Sequence, residues 1–284
     1  MVTPIERSGV TTLCLLPTAA DPYSGRVLPQ VTFLGHATVL VEMGGLRILT
    51  DPVLSARVMF LGRVATEIDP QLYSNIDVVV ISHMHHDHCD VRSLRQMPYA
   101  RMIVPNGAGS WFAKKGFNNV VELQAGQSEF VGDVVFNAVP AVHDGTRTPF
   151  GPHADALGYV MSTDDSSVYF AGDTDVFSGM RAIGESVGRQ LDIALLPVWG
   201  WGPNLGPGHM NPRSAADAVR LLDAKYAMPI HWGTLFPVGL RKVRPKFGSL
   251  LTDPPQTFAA IATQLELPTK VRVIQPGQPM VYDQ

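Results

Sequence analysis

The residues His83-Met84-His85-His86-Asp87-His88 carry a His-x-His-x-Asp-His pattern, four metal-capable side chains within six positions. Imidazole and carboxylate together form a donor mix that suits zinc, iron or manganese. The motif directly follows Ile76-Asp77-Val78-Val79-Val80-Ile81-Ser82, whose β-branched core reads as a strand buried on both faces. A loop at the end of such a strand lets donors converge without helical spacing. The competing reading is a solvated His-rich turn, which would rarely include an aspartate or follow a core strand. The motif reads as a metal site.

Six residues cannot complete two coordination spheres, so further ligands are expected at other strand ends. His143 follows the apolar segment 136–142. Asp173 ends the run Val168-Tyr169-Phe170-Ala171-Gly172, and His231 follows 226–230 and precedes Trp232-Gly233. Any one of these alone would more often be a hydrogen-bonded core or loop residue. Three of them beside the 83–88 cluster make coincidence a poor explanation. His86 interrupts the series and is expected to point away. Cys89 reads as a buried spectator thiol, Asp51 beside Pro52 as a turn or hydrogen-bonding residue, and His153 as part of a turn. His209 precedes a helix cap at Asn211-Pro212, and its imidazole can both donate and accept a proton. A structural part in the capping loop is its rival role. Trp199-Gly200-Trp201-Gly202-Pro203 could wall a pocket or form a rigid apolar loop. The basic residues Arg241, Lys242, Arg244 and Lys246 are a solvated loop unless they meet an anionic substrate.

The elements that must position these groups follow from composition and pattern. At 284 residues, with 45% apolar and 17% charged, the chain can bury a substantial core and is not expected to be disordered. A net charge of −3 gives no footprint for nucleic acid. No apolar run reaches the roughly 18 residues that a spanning helix needs. The two cysteines, Cys14 and Cys89, cannot build a disulfide framework. Residues 10–16 are too short, and too diluted by Thr11, Thr12 and Pro17, for a signal peptide. A cytoplasmic protein is expected.

The first ordered element is read at 31–43, turning at Gly44-Gly45 and returning over Leu46–Thr50. Buried-strand patterns recur at 77–81, 102–104, 120–123, 134–139, 157–161, 168–171, 193–196 and 271–274. Ala215, Ala218, Val219 and Leu222 recur at helical spacing behind an Asn211 cap and Pro212. Phe258, Ile261, Ala262 and Leu265 do the same after Pro254-Pro255. Residues 236–254 show no period and read as a loop long enough to be a lid. Sequential groups of strands with dispersed helices suit two sheets covered by helices. No linker divides the chain, so 1–30 is read as an N-terminal extension and 31–284 as one domain.

From about Val31 to Thr234 the chain resembles the metallo-β-lactamase superfamily. Within it the chain is most similar to the branch of N-acyl-phosphatidylethanolamine-hydrolysing phospholipases D and ascorbate-6-phosphate lactonases. Besides the metal motif, the resemblance rests on Phe33-Leu34-Gly35-His36-Ala37-Thr38, Thr50-Asp51-Pro52, Ala171-Gly172-Asp173-Thr174, His209-Met210-Asn211-Pro212 and Ile230-His231-Trp232-Gly233-Thr234. It implies a four-layer αββα sandwich with the site along one edge of the two sheets. It further implies two divalent ions, zinc or else manganese. His83, His85 and His143 would hold the first, Asp87, His88 and His231 the second, and Asp173 both. Two cations sharing a water would generate hydroxide near neutral pH. His36 is expected to be structural or to support a ligand. Catalytic parts fall to Asp87 and His209, the latter matching a substrate-side histidine of the branch. Substrate contacts fall to His209, Trp199, Trp201 and Arg241.

The implied activity is hydrolysis of phosphodiesters, phospholipid-like or small and phosphorylated, with lactone hydrolysis as the alternative. Iron-dependent redox chemistry on the same fold is a further alternative. The family's di-iron reductases, however, carry a carboxylate where His85 stands, and mono-iron dioxygenases need no second donor set. Nucleic-acid processing and a catalytically silent metal module are weaker still. The partner expected is a small or lipid-like ester, and a homo-oligomer is left open.

Overall fold

Runs of β-branched and aromatic residues without polar alternation arise when both faces of a strand are covered. That is the situation over residues 78–80, 157–161, 167–170 and 193–197, all of them buried. The computed structural model describes residues 26–199, 206–243 and 245–283. In chain order it begins with β1 (Gln30–Gly35), β2 (Thr38–Met43), β3 (Leu46–Thr50), β4 (Arg57–Val58), β5 (Leu61–Arg63) and β6 (Val78–Val80). Helix α1 (Val91–Leu94) leads to β7 (Arg101–Pro105), α2 (Gly109–Lys114), β8 (Val120–Leu123), β9 (Ser128–Val131) and β10 (Val134–Pro140). Next come β11 (Leu157–Ser162), β12 (Ser167–Phe170), α3 (Met180–Glu185), β13 (Ile193–Pro197), α4 (Pro212–Leu222) and β14 (Tyr226–Ile230). The last elements are β15 (Leu235–Pro237), α5 (Leu240–Val243), α6 (Asp253–Gln264), β16 (Lys270–Val271) and β17 (Gln278–Pro279).

Two seven-stranded sheets result, ordered β17-β1-β2-β3-β6-β7-β8 and β16-β14-β13-β12-β11-β10-β9. Successive side chains of a strand point to opposite faces. Val39, Val41, Val78 and Val80 therefore enter the core shared with Phe136, Ala138, Tyr159 and Met161 of the second sheet. Leu40, Leu49, Val79 and Ile81 face the other way and pack with Leu94 of α1 and Phe112 of α2. On the far side of the second sheet, Ala215, Val219 and Leu222 of α4 and Phe258 of α6 close the core. The layers are helix, sheet, sheet, helix, as expected for a metallo-β-lactamase fold. Helix α4 starts as its sequence directs. The Asn211 side chain accepts from the backbone N–H groups of Arg213 and Ser214, and Ser214 Oγ accepts from Asn211 N–H.

The structure departs from the sequence reading in three places. Residues 31–43 are two strands, because Gly35 and His36 adopt left-handed backbone (φ 115° and 55°) and turn β1 into β2. The segment 236–254 is not a featureless loop. It holds the end of β15, helix α5, the 3-10 helix Pro245–Leu251 and the start of α6, pieces too short to show a period. β15 also joins β5 and β4 in a three-stranded sheet that the sequence did not announce. The expected strand at 271–274 is only Lys270–Val271, at the sheet edge. No helix among the described residues is long and apolar enough to cross a membrane.

Gly172 joins the two sheets where the chemistry sits. Its φ is +59°, and a Cβ there would lie 2.3 Å from Ser82 Cβ. Gly172→Ala should therefore destabilise the protein by about 2–5 kcal/mol, summing the left-handed penalty of about 1–2 and an overpacking cost of about 1–3. A denaturant midpoint equal to wild type would show that the strand ends do not meet this closely.

Candidate metal centre

Strand direction brings the polar strand ends together. β12, β13 and β14 run parallel, and β10 is antiparallel to β11, which is antiparallel to β12. β10, β12 and β14 thus all end at one edge, where His143, Asp173 and His231 follow them within three residues. The end of β6 arrives at the same edge from the other sheet, as the Gly172–Ser82 approach shows. The 83–88 loop begins there.

The donors form four overlapping groups, each with its donor atoms within 4.8 Å of one another; Asp51, His83 and His88 make a group that links two others. His83, His85 and His143 form one, with His85 Nδ1 and His143 Nε2 3.2 Å apart. Asp87, His88, His231 and His36 form another, with the Nε2 atoms of His88 and His231 3.1 Å apart. Asp173 stands at their junction. Its Oδ2 is 3.3 Å from Nε2 of both His88 and His231. It also shares a donor cluster with His143 and His209.

The imidazoles are held from behind. His143 Nδ1–H donates to Gly208 O at 2.9 Å, and His231 Nδ1–H donates to Trp199 O at 2.5 Å. His88 Nδ1–H donates to Asp51 Oδ2 at 2.6 Å. Ser82 Oγ–H also goes to Asp51 Oδ2, so Ser82 Oγ accepts from His83 Nδ1–H at 3.0 Å. Fixing Nδ1 in this way sets the tautomer and leaves Nε2 as the inward donor atom. His85 is turned the other way and offers Nδ1.

Burial opposes charge on every group in this cluster. It lowers His83 well below the usual imidazole value and His143 to about 4, and it raises the Asp51 carboxyl. Around Asp173, pairing outweighs burial. The neighbouring His231 and His88 hold its carboxyl well below the usual range. Asp173 in turn, with Asp51, holds His88 well above the usual imidazole value, and Asp173 raises His231. Ionised carboxylates here draw positive charge into their midst. Two buried atoms, His83 Nε2 and Asp173 Oδ1, have no hydrogen-bond partner. An orphaned buried polar atom costs about 1–3 kcal/mol, and a cation among these donors would satisfy both. The residues present fit divalent metal ions of the zinc or manganese kind.

The remaining residues sort clearly. His86 points away, as expected, with Nδ1 on Arg147 and Nε2 on Thr148 O. Cys89 is buried outside the donor groups, and burial pushes its thiol up to about 12. His153 approaches Thr146 Oγ1 and joins no donor group among the described residues. His209 sits at the rim, 28% exposed, with Nε2 3.6 Å from Asp173 Oδ2 and its ring 4.7 Å from that of His143. Trp201, Arg244 and the side chain of Arg241 lie outside the described residues. Sequence reasoning missed Arg147. Its guanidinium donates to Met84 O, Cys89 O and His86 Nδ1 and lies 4.9 Å from the Trp111 ring, tying both ends of the ligand loop. No local pattern could have flagged it. Asp51 was visible as a polar residue at a strand end, but its partner His88 was not.

A cleft of about 410 Å³ opens beside His143, lined by Pro140, Ala141, Asp144, Gly145, Ala154 and Asp155 among others. A larger groove of about 790 Å³ runs past the β2–β3 turn and residues 163–166, at the opposite edge of the sheets. It contains none of the donors, whereas the smaller cleft includes His143.

The chain is similar to several known proteins. Residues 46–232 match the β-lactamase superfamily domain. The chain is 36% identical over 218 residues to a metal-dependent hydrolase of Koribacter versatilis, covering 74% of this chain and 86% of that one. It is 31% identical over 248 residues to the N-acyl-phosphatidylethanolamine-hydrolyzing phospholipase D 1 of Caenorhabditis elegans, covering 78% and 68%. A metallo hydrolase of the archaeon Ignicoccus hospitalis shares the fold with a TM-score of 0.70 at 23% identity, covering 90% and 99%.

Asp51→Asn keeps the side-chain shape and removes the charge that holds His88. Metal affinity, measured by competition with a chromophoric chelator, should fall about 10–100-fold. Wild-type affinity in this variant would mean that the His88–Asp51 pair does not support a metal donor.

Proposed function

Since this chain belongs to the β-lactamase superfamily of metal-dependent hydrolases, we propose that it hydrolyses phosphodiesters, phospholipid-like or small and phosphorylated, with two divalent metal ions, zinc before manganese. The observation that carries the reading is the pair of donor groups meeting at Asp173. In this proposal His83, His85 and His143 hold one ion, Asp87, His88 and His231 the other, and Asp173 both. Two such cations, when bound, lower the pKa of a shared water toward neutrality and polarise the ester. The similarity to a phospholipase D over most of both chains supports a phosphodiester.

The chain's own part is to orient the substrate and move protons. His209, at the rim beside Asp173 and His143, is the proposed proton donor to the leaving oxygen. The Trp199 carbonyl is occupied by His231, while its indole is the proposed wall of the substrate site. Arg241 begins the basic stretch through Lys246 and is the proposed phosphate contact, where a desolvated charge-assisted hydrogen bond is worth roughly 1.5–3 kcal/mol. The proposed setting is the cytoplasm, a reducing compartment in keeping with two cysteines that cannot build a disulfide framework.

A lactone is the second reading, and one observation favours it. Among the described residues the cleft beside His143 is lined by Asp144 and Asp155 and by no lysine or arginine, which disfavours an anionic group on that side. The relatives named above are hydrolases, which favours hydrolysis over iron-dependent redox chemistry.

The test uses the metal-loaded protein on phosphodiesters with nitrophenyl and alkyl leaving groups and on a neutral lactone. The diesters should turn over faster than the lactone. His209→Ala should lower kcat on the alkyl diester about 100-fold and on the nitrophenyl diester much less, because nitrophenolate leaves without a proton. Faster lactone turnover, with equal small effects of His209→Ala on all substrates, would overturn the phosphodiesterase reading.

A further inference from the structure

His36 lies inside the donor cluster yet belongs to neither proposed set of metal ligands. It is 3% exposed, and its Nε2 lies 3.1 Å from Asp87 Oδ2. An ionised carboxylate can only accept, so the imidazole donates Nε2–H. The ring also lies against His231, centroids 3.9 Å apart, with His88 at 5.2 Å. The His36 side chain therefore touches or approaches all three residues of the Asp87-His88-His231 half. The structure records no such contact with His83, His85 or His143.

The backbone fixes this placement from both sides. His36 N–H donates to Thr234 Oγ1 at 2.7 Å, and His36 C=O accepts His231 N–H at 2.7 Å. Thr234 Oγ1–H in turn goes to Trp232 O. The β1–β2 turn is thus fastened to the segment that presents His231. The fit is close enough that a Cβ on Gly35 would lie 2.7 Å from Thr234 Oγ1. His36 itself is a non-glycine residue at φ 55°. Such backbone persists where surroundings over-determine it, and it clusters at functional sites. A histidine serving only as core filler would need neither the strain nor the hydrogen bond to a ligand carboxylate.

We propose that His36 is a positioning residue for one half of the metal centre. Its Nε2–H holds Asp87 Oδ2, the oxygen that also lies 3.9 Å from His231 Nε2, and so fixes the carboxylate among the donors, and its ring steadies His231. His36 thereby sets the affinity of the Asp87-His88-His231 half and leaves the His83-His85-His143 half alone. This rests on the two-cation reading above.

The experiment follows stepwise zinc binding to the full chain by chelator competition, with total zinc by mass spectrometry and thermal midpoints alongside. Wild type should bind two ions. In His36→Ala one step should keep its affinity and the other should weaken about 10–100-fold. His36→Gln can place an amide N–H near the position of Nε2 and should restore the weakened step to within a few-fold. His36→Asn places its amide near the position of Nδ1 and should behave like alanine. The Gln and Asn variants differ in donor position more than in packing, so their comparison holds even if alanine unfolds the chain. Fewer than two ions in wild type would defeat the two-cation reading and this proposal with it. Two ions in wild type with unchanged steps in the variants, equal weakening of both steps, or failure of glutamine to rescue would defeat this proposal alone.

Discussion

Three carboxylates, Asp51, Asp87 and Asp173, are gathered at one edge of a double sheet, and this constrains the whole arrangement. Removing a carboxylate from water carries a penalty of several kcal/mol even after relaxation, and like charges in a low-dielectric site repel one another. The cluster is stable only where positive charge is interposed. The histidines, with their Nδ1 atoms tied outward to Asp51, Ser82, Gly208 and Trp199, turn their inner nitrogens into the cluster. The same constraint explains the orphaned His83 Nε2 and Asp173 Oδ1, which are donors without a protein partner.

Topology makes such concentration achievable. Strands whose faces are all apolar cannot carry the polar groups, so these appear where strands end. Parallel and doubly antiparallel pairings put the ends of β10, β12 and β14 on one side. Glycine at position 172 then lets the second sheet approach Ser82 of the first. Of the nine histidines in the chain, His86 and His153 stand apart from the centre, and both bond to loop atoms instead.

The legible part of the molecule was legible for these reasons. A buried strand announces itself by continuous valine and isoleucine, as over 78–81, and a donor at its end stands out against that background. Asn211 and Pro212 marked the start of α4 because a cap and a first-turn proline act locally. Illegible features depend on distant partners. Arg147 clamps the ligand loop across about sixty residues of sequence. His36 needs Thr234 and His231 to define its turn, and without them 31–43 reads as one strand. β15 exists because β5 is there to pair with it. Substrate preference was the least legible, because it depends on the shape and charge of the cleft rather than on a motif.

The central claim is that the two donor groups hold metal at the same time, with Asp173 between them. Anomalous diffraction from crystals of the zinc-loaded protein, collected above and below the zinc edge, tests this most directly. The account predicts two separate peaks, one among His83, His85 and His143 and the other among Asp87, His88 and His231, with Asp173 reaching both. A single peak under saturating zinc, or peaks that leave His143 or His231 outside the coordination shell, would contradict it.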